Sequence, residues 1–406
     1  MSRLTHAFLP ILLTLVVTAG CKSVIEREDV RPRVLRDVPA RNLAYRLSPD
    51  VALPSNLNPD EIVDKDVNVA NAFAAKREND ALLRTIVSPD GKRVLALYGT
   101  ETEPSPAFRI DLYNSDGEFL RNLIPPDISC LFPETVAWSP DGRFITFIAR
   151  KRVSPSPTPT PPNQPEPQPT LSPAPYASPV ASPSIAPLFP PIASFNTEQI
   201  YICNRDGYDL KPLTSREGLI YFYFAWAPDS HGLVALACKE SEWIEREQKY
   251  KLPAGRPRLI APDGNERLLD DGLTEALPVW SPDASKVVTA FDTDVAIYDA
   301  GGSTPTQGRV PLAEQLIAAS VIYEERSGTK KAGANENANT AASPAPASSS
   351  TPAAPPSFNP IVTFQWPSPE VLYFKTAYVR VMPSETINTF QRWHQLNLSA
   401  QAAILK

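Results

Sequence analysis

Taken by itself, this 406-residue chain calls for an all-β fold, a β-propeller of four-stranded blades carrying disordered insertions and an N-terminal lipoprotein signal. Three observations lead to the propeller. A turn motif recurs: Trp138-Ser139-Pro140-Asp141-Gly142 runs straight into the apolar stretch Phe144-Ile145-Thr146-Phe147-Ile148. Copies stand at Ser88-Pro89-Asp90-Gly91, Trp226-Ala227-Pro228-Asp229 and Trp280-Ser281-Pro282-Asp283, with a worn one at Trp366-Pro367-Ser368-Pro369-Glu370. The copies lie about 50 residues apart once two low-complexity insertions are discounted, which is the period of propeller blades. A second hairpin recurs within the period, at Asn114-Ser115-Asp116-Gly117, Asn204-Arg205-Asp206-Gly207 and Pro262-Asp263-Gly264. Two hairpins per period make four strands, which is one blade.

The first hairpin is turn chemistry. Proline pre-sets φ, aspartate bonds its own backbone, and glycine supplies a positive φ without steric cost. Aromatic and β-branched residues then favour a strand. Because Trp138, Trp226, Trp280 and Trp366 recur at equivalent positions, they are expected to pack between blades rather than to stack on a ligand. Asp90, Asp141, Asp229 and Asp283 are expected to be turn residues first. The Trp-Ser-Pro-Asp-Gly turns and the Ile200–Gly207 hairpin resemble the PD40 (WD40-like) repeats of TolB-type propellers, over about 80 to 400 without the insertions. That resemblance implies a fold and leaves activity open. Five blades are detectable, roughly 80–126, 133–215, 221–272, 275–320 and 358–400. TolB-type propellers usually have six, and a sixth would have to be assembled from the N-terminal segment and degenerate strands. TolB also carries an α/β domain before its propeller, for which 22–80 is too short, and TolB is soluble.

From its start, the chain reads as a lipoprotein signal over residues 1–20. Arg3 gives a positive n-region, Ala7–Thr18 is too short an apolar run to span a bilayer, and Thr18-Ala19-Gly20-Cys21 resembles the bacterial lipobox. Cys21 is the expected lipid-attachment residue, although Thr18 stands where leucine is usual. Residues 21–79 are polar and of mixed charge, with arginines among Glu26, Glu28, Asp29 and Asp37. They read as a solvated tether rather than a lipid-touching basic run. Within it, Asn42–Leu47 alternates like a strand and is the candidate to close the ring with the last blade. The propeller is assigned to 80–400. Two insertions interrupt it, Pro-rich 154–191 and Ala/Ser/Asn/Pro-rich 327–357. Their composition builds no core and calls for disordered surface loops.

A net charge of −6 without a basic stripe argues against a nucleic-acid partner. Cys130, Cys203 and Cys238 read as buried thiols, with one disulfide among them left open in an oxidising envelope, and none has metal-ligand spacing. There is no Gly-x-Ser-x-Gly elbow and no phosphate loop. Beyond the signal, only His231, in a turn, and His394, near Trp393 in the last strand, offer imidazoles, and turn or surface roles are expected of them. The chain is therefore expected to be no enzyme and to carry no catalytic residues, metal or cofactor. It is read as a monomeric, membrane-anchored envelope propeller that binds a protein or peptide partner. It would face the periplasm or exterior, with Lys22 after the cysteine favouring an outer-membrane address. The alternative is a propeller that binds or cleaves a glycan, which an exposed aromatic cluster of Trp243, Tyr250 and Tyr176 would favour.

Overall fold

The computed structural model describes residues 34–57, 65–101, 107–151, 197–249, 251–327, 357–380 and 388–400. The signal segment, Cys21 and nearly all of both insertions lie outside the described residues; Ser327 ends a helix and Ser357 begins a strand. The chain enters through two short 3-10 turns, Leu35–Asp37 and Ala40–Asn42, and forms β1 (Leu43–Ser48). Helix α1 (Val67–Lys76) follows, capped by Asp66, whose carboxylate accepts from the Val69 amide at 3.0 Å. The first blade is β2 (Ala81–Val87), β3 (Arg93–Gly99), β4 (Arg109–Asn114) and β5 (Phe119–Asn122). In the second, β6 (Ile128–Cys130) and β7 (Ala137–Trp138) both pair with β8 (Phe144–Lys151), which is followed by β9 (Gln199–Asn204) and β10 (Lys211–Pro212). The third is β11 (Leu219–Trp226), β12 (Leu233–Lys239), β13 (Arg256–Ile260) and β14 (Glu266–Leu268), with α2 (Glu240–Gln248) between β12 and β13. The fourth is β15 (Val279–Trp280), β16 (Lys286–Phe291), β17 (Asp294–Asp299) and β18 (Gln307–Pro311), from which α3 (Ala313–Ser327) departs. The fifth is built on β19 (Ser357–Phe358), β20 (Ile361–Ser368), β21 (Val371–Arg380) and β22 (Asn388–Ala400).

These are five antiparallel sheets, and the architecture is a β-propeller. The first insertion falls between β8 and β9, which still pair from Phe144↔Asn204 to Ala149↔Gln199. The N-terminal segment builds no sixth sheet among the described residues. Its strand β1 instead pairs with β22, from Leu43↔Ala400 to Ser48↔Gln395, and completes the fifth blade. Of the described residues that follow, Val51 holds to the fifth blade, its amide donating to Trp393 O at 3.0 Å, and Asp66 holds to the first, its amide donating to Thr85 Oγ1 at 2.7 Å.

The solvated-tether reading of 21–79 needs correction over its described residues, 34–57 and 65–79; residues 21–33 and 58–64 lie outside them. Leu35, Val38 and Ala40 are buried in the core shared by the fourth and fifth blades, and Val69 and Phe73 of α1 are buried against the first. The sequence around them hides the contacts, because the partners of these residues lie far away along the chain. Lys286, almost fully buried, fixes this strap: its Nζ donates to Val38 O at 2.7 Å and to Asp299 Oδ1 at 2.8 Å. Asp299 Oδ1 also accepts from the Ala40 amide at 3.0 Å.

The motif tryptophans tie each blade to the one before. Trp138 Nε1 donates to Ile86 O (3.1 Å), Trp226 Nε1 to Thr146 Oγ1 (2.8 Å) and Trp280 Nε1 to Ala225 O (3.0 Å). Trp366, the worn copy, is buried in the core that joins the fourth and fifth blades, and its indole nitrogen has no acceptor. In the turns, Ser139 Oγ donates to Asp141 Oδ1 at 2.6 Å and accepts from the Phe144 amide, while Asp141 Oδ1 accepts from the Arg143 amide. Ser88 with Asp90, and Ser281 with Asp283, repeat this. The Ser88 hydroxyl and the Lys92 amide hold the Asp90 carboxyl down at about 2. Burial would raise Asp141 and Asp283, but the same bonds keep both below the ordinary aspartate value.

Gly142 has φ +67°, and a Cβ there would lie 3.5 Å from the Pro89 ring. Gly142→Val therefore meets backbone strain more than crowding, and is expected to cost about 1 to 3 kcal/mol. Chemical denaturation of the variant beside the wild type measures it. An unchanged midpoint would show that the turn relaxes.

Candidate functional site

The candidate site arises where the repeat is broken. In the first three blades the second hairpin ends in a positive-φ glycine that lies close against its surroundings. A Cβ on Gly117 would stand 2.7 Å from Asn68 O, one on Gly207 2.2 Å from a Leu123 methyl, and one on Gly264 3.0 Å from Leu213 O. The fourth blade reads Asp299-Ala300-Gly301-Gly302-Ser303-Thr304 instead, and a Cβ on Gly301 or Gly302 meets nothing within 4 Å. The hairpin does not close onto the third blade. A cleft of about 950 Å³ opens there, walled by the third blade, the fourth blade and strap residues Arg36–Pro39. Its size is that of a small-molecule or short-peptide site.

Apolar lining comes from Leu233, Leu259, Ile260 and Trp280, and the rim is charged. Most of those charges are already engaged. Glu266 accepts from Arg258, from Arg216 Nε (3.0 Å) and from Tyr221 OH (2.9 Å). Asp299 is taken up by Lys286, Ala40 and Thr306; burial would raise its pKa, but these bonds keep it below the ordinary value. Arg267 Nη2 donates to Asp299 O (2.7 Å) and Ala300 O (2.9 Å), and burial lowers its pKa from the usual arginine value. Arg36, Asp37 and Asp229 remain exposed at the rim, with His231 Nδ1 3.5 Å from Asp229 Oδ2. An apolar floor with separate carboxylate and guanidinium groups can hold an extended or turned peptide by side-chain burial and by hydrogen bonds to charged groups.

The structure sorts the residues singled out from sequence. Asp90, Asp141, Asp229 and Asp283 lie in turns, and only Asp229 of the four lines the cleft. Trp280 alone of the motif tryptophans does so. Cys21 lies outside the described residues. Cys130, Cys203 and Cys238 are buried and outside any disulfide, and burial pushes the Cys203 and Cys238 thiols up to about 12. Among the described residues, no group of three or more His, Cys, Asp or Glu is placed to hold a metal ion. Trp243 is half-buried against the rings of Phe132 and Phe222, while Tyr176 and Tyr250 lie outside the described residues. His394, expected in a surface role, is corrected: it is fully buried in the fifth blade, stacked 5.2 Å from Phe374. Sequence reasoning missed the cleft itself. Its signal was present, in Asp299-Ala300-Gly301-Gly302 where the first three blades carry a tight Asp-Gly turn.

No protein-family profile matches this chain, and no curated protein matches it. Solved structures of similar fold include prolyl oligopeptidase B from Galerina marginata, at 10% identity over 89% of this chain and 43% of that one, with a TM-score of 0.39. They also include an oligogalacturonate lyase in complex with manganese, at 11% identity over 55% of this chain and 51% of that one, TM-score 0.29. A third is a nidogen/laminin complex, at 11% identity over 77% of this chain and 82% of that one, TM-score 0.28. The match spans about half or less of the oligopeptidase and lyase chains. Likeness at this level concerns the fold alone. It does correct one expectation: with a peptidase and a lyase among proteins of similar fold, the reading that this chain is no enzyme is withdrawn.

Proposed function

We propose that this protein is a lipid-anchored, TolB-like propeller of the bacterial cell envelope that takes a peptide or protein segment in the cleft between its third and fourth blades. One observation carries the reading: the cleft is the place where the repeat's own packing fails to close, and it offers apolar lining beside exposed Arg36, Asp37 and Asp229. The anchor rests on Thr18-Ala19-Gly20-Cys21. Acyl chains on Cys21 would hold the protein on a membrane. Extended chain from Cys21 to Val34 reaches at most about 45 Å, so the strap and the cleft beside it stay near that membrane. Lys22 supports an outer-membrane address in a cell with two membranes. The acidic balance of the chain supports a partner other than nucleic acid.

Two measurements test this. Cys21→Ser should move the protein from the carbonate-washed membrane fraction into the soluble one; continued sedimentation with membranes would refute the anchor. The soluble Cys21→Ser protein should bind members of a mixed-sequence peptide pool. Gly301→Trp, which adds an indole at the open rim, should weaken that binding at least about tenfold with little change in thermal stability. Undiminished binding would place the site elsewhere, and retention on polysaccharide instead of peptide would replace the partner class.

A further inference from the structure

The groove between the first and second blades is the filled counterpart of the open cleft. There the second-blade hairpin reaches across to the first-blade turn: Arg205 Nη2 donates to Asp90 Oδ2 at 2.8 Å, and Arg93 Nη2 donates to Asp206 Oδ1 at 3.1 Å. Arg121, on the outer strand of the first blade, donates Nη1 to Gly207 O at 3.3 Å.

The third and fourth blades repeat this framework residue for residue. Asp299 pairs with Lys286 as Asn204 pairs with Phe144, and the next amide donates alike, Ala300 to Ser285 O at 2.9 Å and Arg205 to Arg143 O at 2.8 Å. Gly302 has φ +101°, where Gly207 has +77°. Arg267 sits opposite Leu259 as Arg121 sits opposite Leu112, and likewise donates to carbonyls of the next hairpin. Asp229 occupies the turn position of Asp90, each accepting at Oδ1 from the amide two residues on. The side chains that fill the first groove are missing from the second. Arg205 corresponds to Ala300, Asp206 to Gly301, and Arg93 to Gly232.

We infer that the cleft recognises an arginine-bearing turn of a partner protein, whose guanidinium meets Asp229 as Arg205 meets Asp90. This rests on the peptide-binding reading above and specifies its partner. Charge complementarity agrees. Glu266, Asp299 and Arg267 are engaged by their own neighbours, Asp37 and Asp229 are the exposed carboxylates, and Arg36 is the exposed cation left to meet an acidic residue beside the arginine. A guanidinium presents its donors in a planar fork that fits a carboxylate, so lysine is a poorer occupant.

The probe is a cyclised synthetic hairpin carrying Asn-Arg-Asp-Gly at its turn, titrated onto the full-length Cys21→Ser protein. Saturable binding is expected. It should weaken at least tenfold when the peptide arginine becomes alanine, and equally for Asp229→Asn. Charge reversal, Asp229→Arg with glutamate in the peptide, should restore it. Ala300→Arg leaves the Asp229 turn untouched and supplies an arginine in cis, so it should also lower affinity at least tenfold. Equal binding of the arginine and alanine hairpins, or affinity unchanged by both Asp229→Asn and Ala300→Arg, overturns the inference. If the hairpin fails to bind while the mixed peptide pool binds in a manner blocked by Gly301→Trp, the arginine inference falls and the cleft's peptide-binding role stands. If neither binds, both fall.

Discussion

A chain beginning at Val51 is expected to lose its cooperative fold. The deletion removes β1, six residues in register with β22, and leaves the 13-residue β22 as an open edge. It also strips Leu35, Val38 and Ala40 from the core shared by the fourth and fifth blades, where burying each larger aliphatic side chain is worth about 1.5 to 3 kcal/mol. Lys286, almost fully buried, loses Val38 O, one of its two acceptors. Arg392, buried to a similar degree, loses the Asp50 carboxylate that accepts from its Nη1 at 2.8 Å. Removing a partner from a buried charge costs about 3 to 5 kcal/mol. These losses together reach the whole stability of an ordinary domain, about 5 to 15 kcal/mol. Circular dichroism during heating and in urea decides the matter. A cooperative transition within a few degrees of the full chain would show that the ring closes without its strap.

The blades were legible in the sequence because their determinants are local. Ser139, Asp141 and Gly142 form their turn with one another and with Arg143 and Phe144, all within six residues, so the motif carries its own geometry. The tryptophan contacts could be anticipated from repetition alone, since a bulky residue recurring once per blade has the neighbouring blade as its common surround. The strap was not legible. Ala40 meets Asp299 across 259 residues, and nothing near Ala40 in the chain marks it as core. The cleft lies between these cases. It is visible as a break in the second hairpin pattern, but only the packing of Gly207 and Gly264 shows that an intact pattern would have filled the space. His394 could have been placed from sequence. Arg392, His394, Leu396 and Leu398 alternate with half-exposed residues along β22, and the period of two puts the histidine on the same buried face as the leucines.

That burial makes the fold sensitive to acid at a single imidazole. His394 Nδ1 accepts from the Asp50 amide at 3.3 Å, so its proton sits on Nε2 and is donated to Thr376 Oγ1 at 2.9 Å. Burial disfavours the imidazolium, the Arg392 charge adds to this, and the pKa is pushed down to about 3. The unfolded chain holds its histidine near the ordinary 6.5. Above pH 6.5 neither state binds the proton, and the contribution to stability is complete. As pH falls from 6.5 towards 3 the unfolded state takes up a proton that the native state refuses, and stability drops by about 1.4 kcal/mol per pH unit. Wild-type protein is expected to lose about 3 kcal/mol between pH 7 and pH 4 beyond any loss shared with His394→Gln. The glutamine keeps a hydrogen-bonding group in the blade and cannot titrate. Its cost at pH 7, from lost stacking on Phe374, is removed by comparing each protein with itself at the two pH values. The low-lying carboxyls of Asp90, Asp141 and Asp283 titrate in both proteins and cancel in the same way. Urea unfolding of the two proteins at pH 7 and pH 4 supplies the four free energies needed. A parallel decline of both would show that His394 accepts a proton inside the folded blade, and that its place in β22 opens to water more readily than its burial implies.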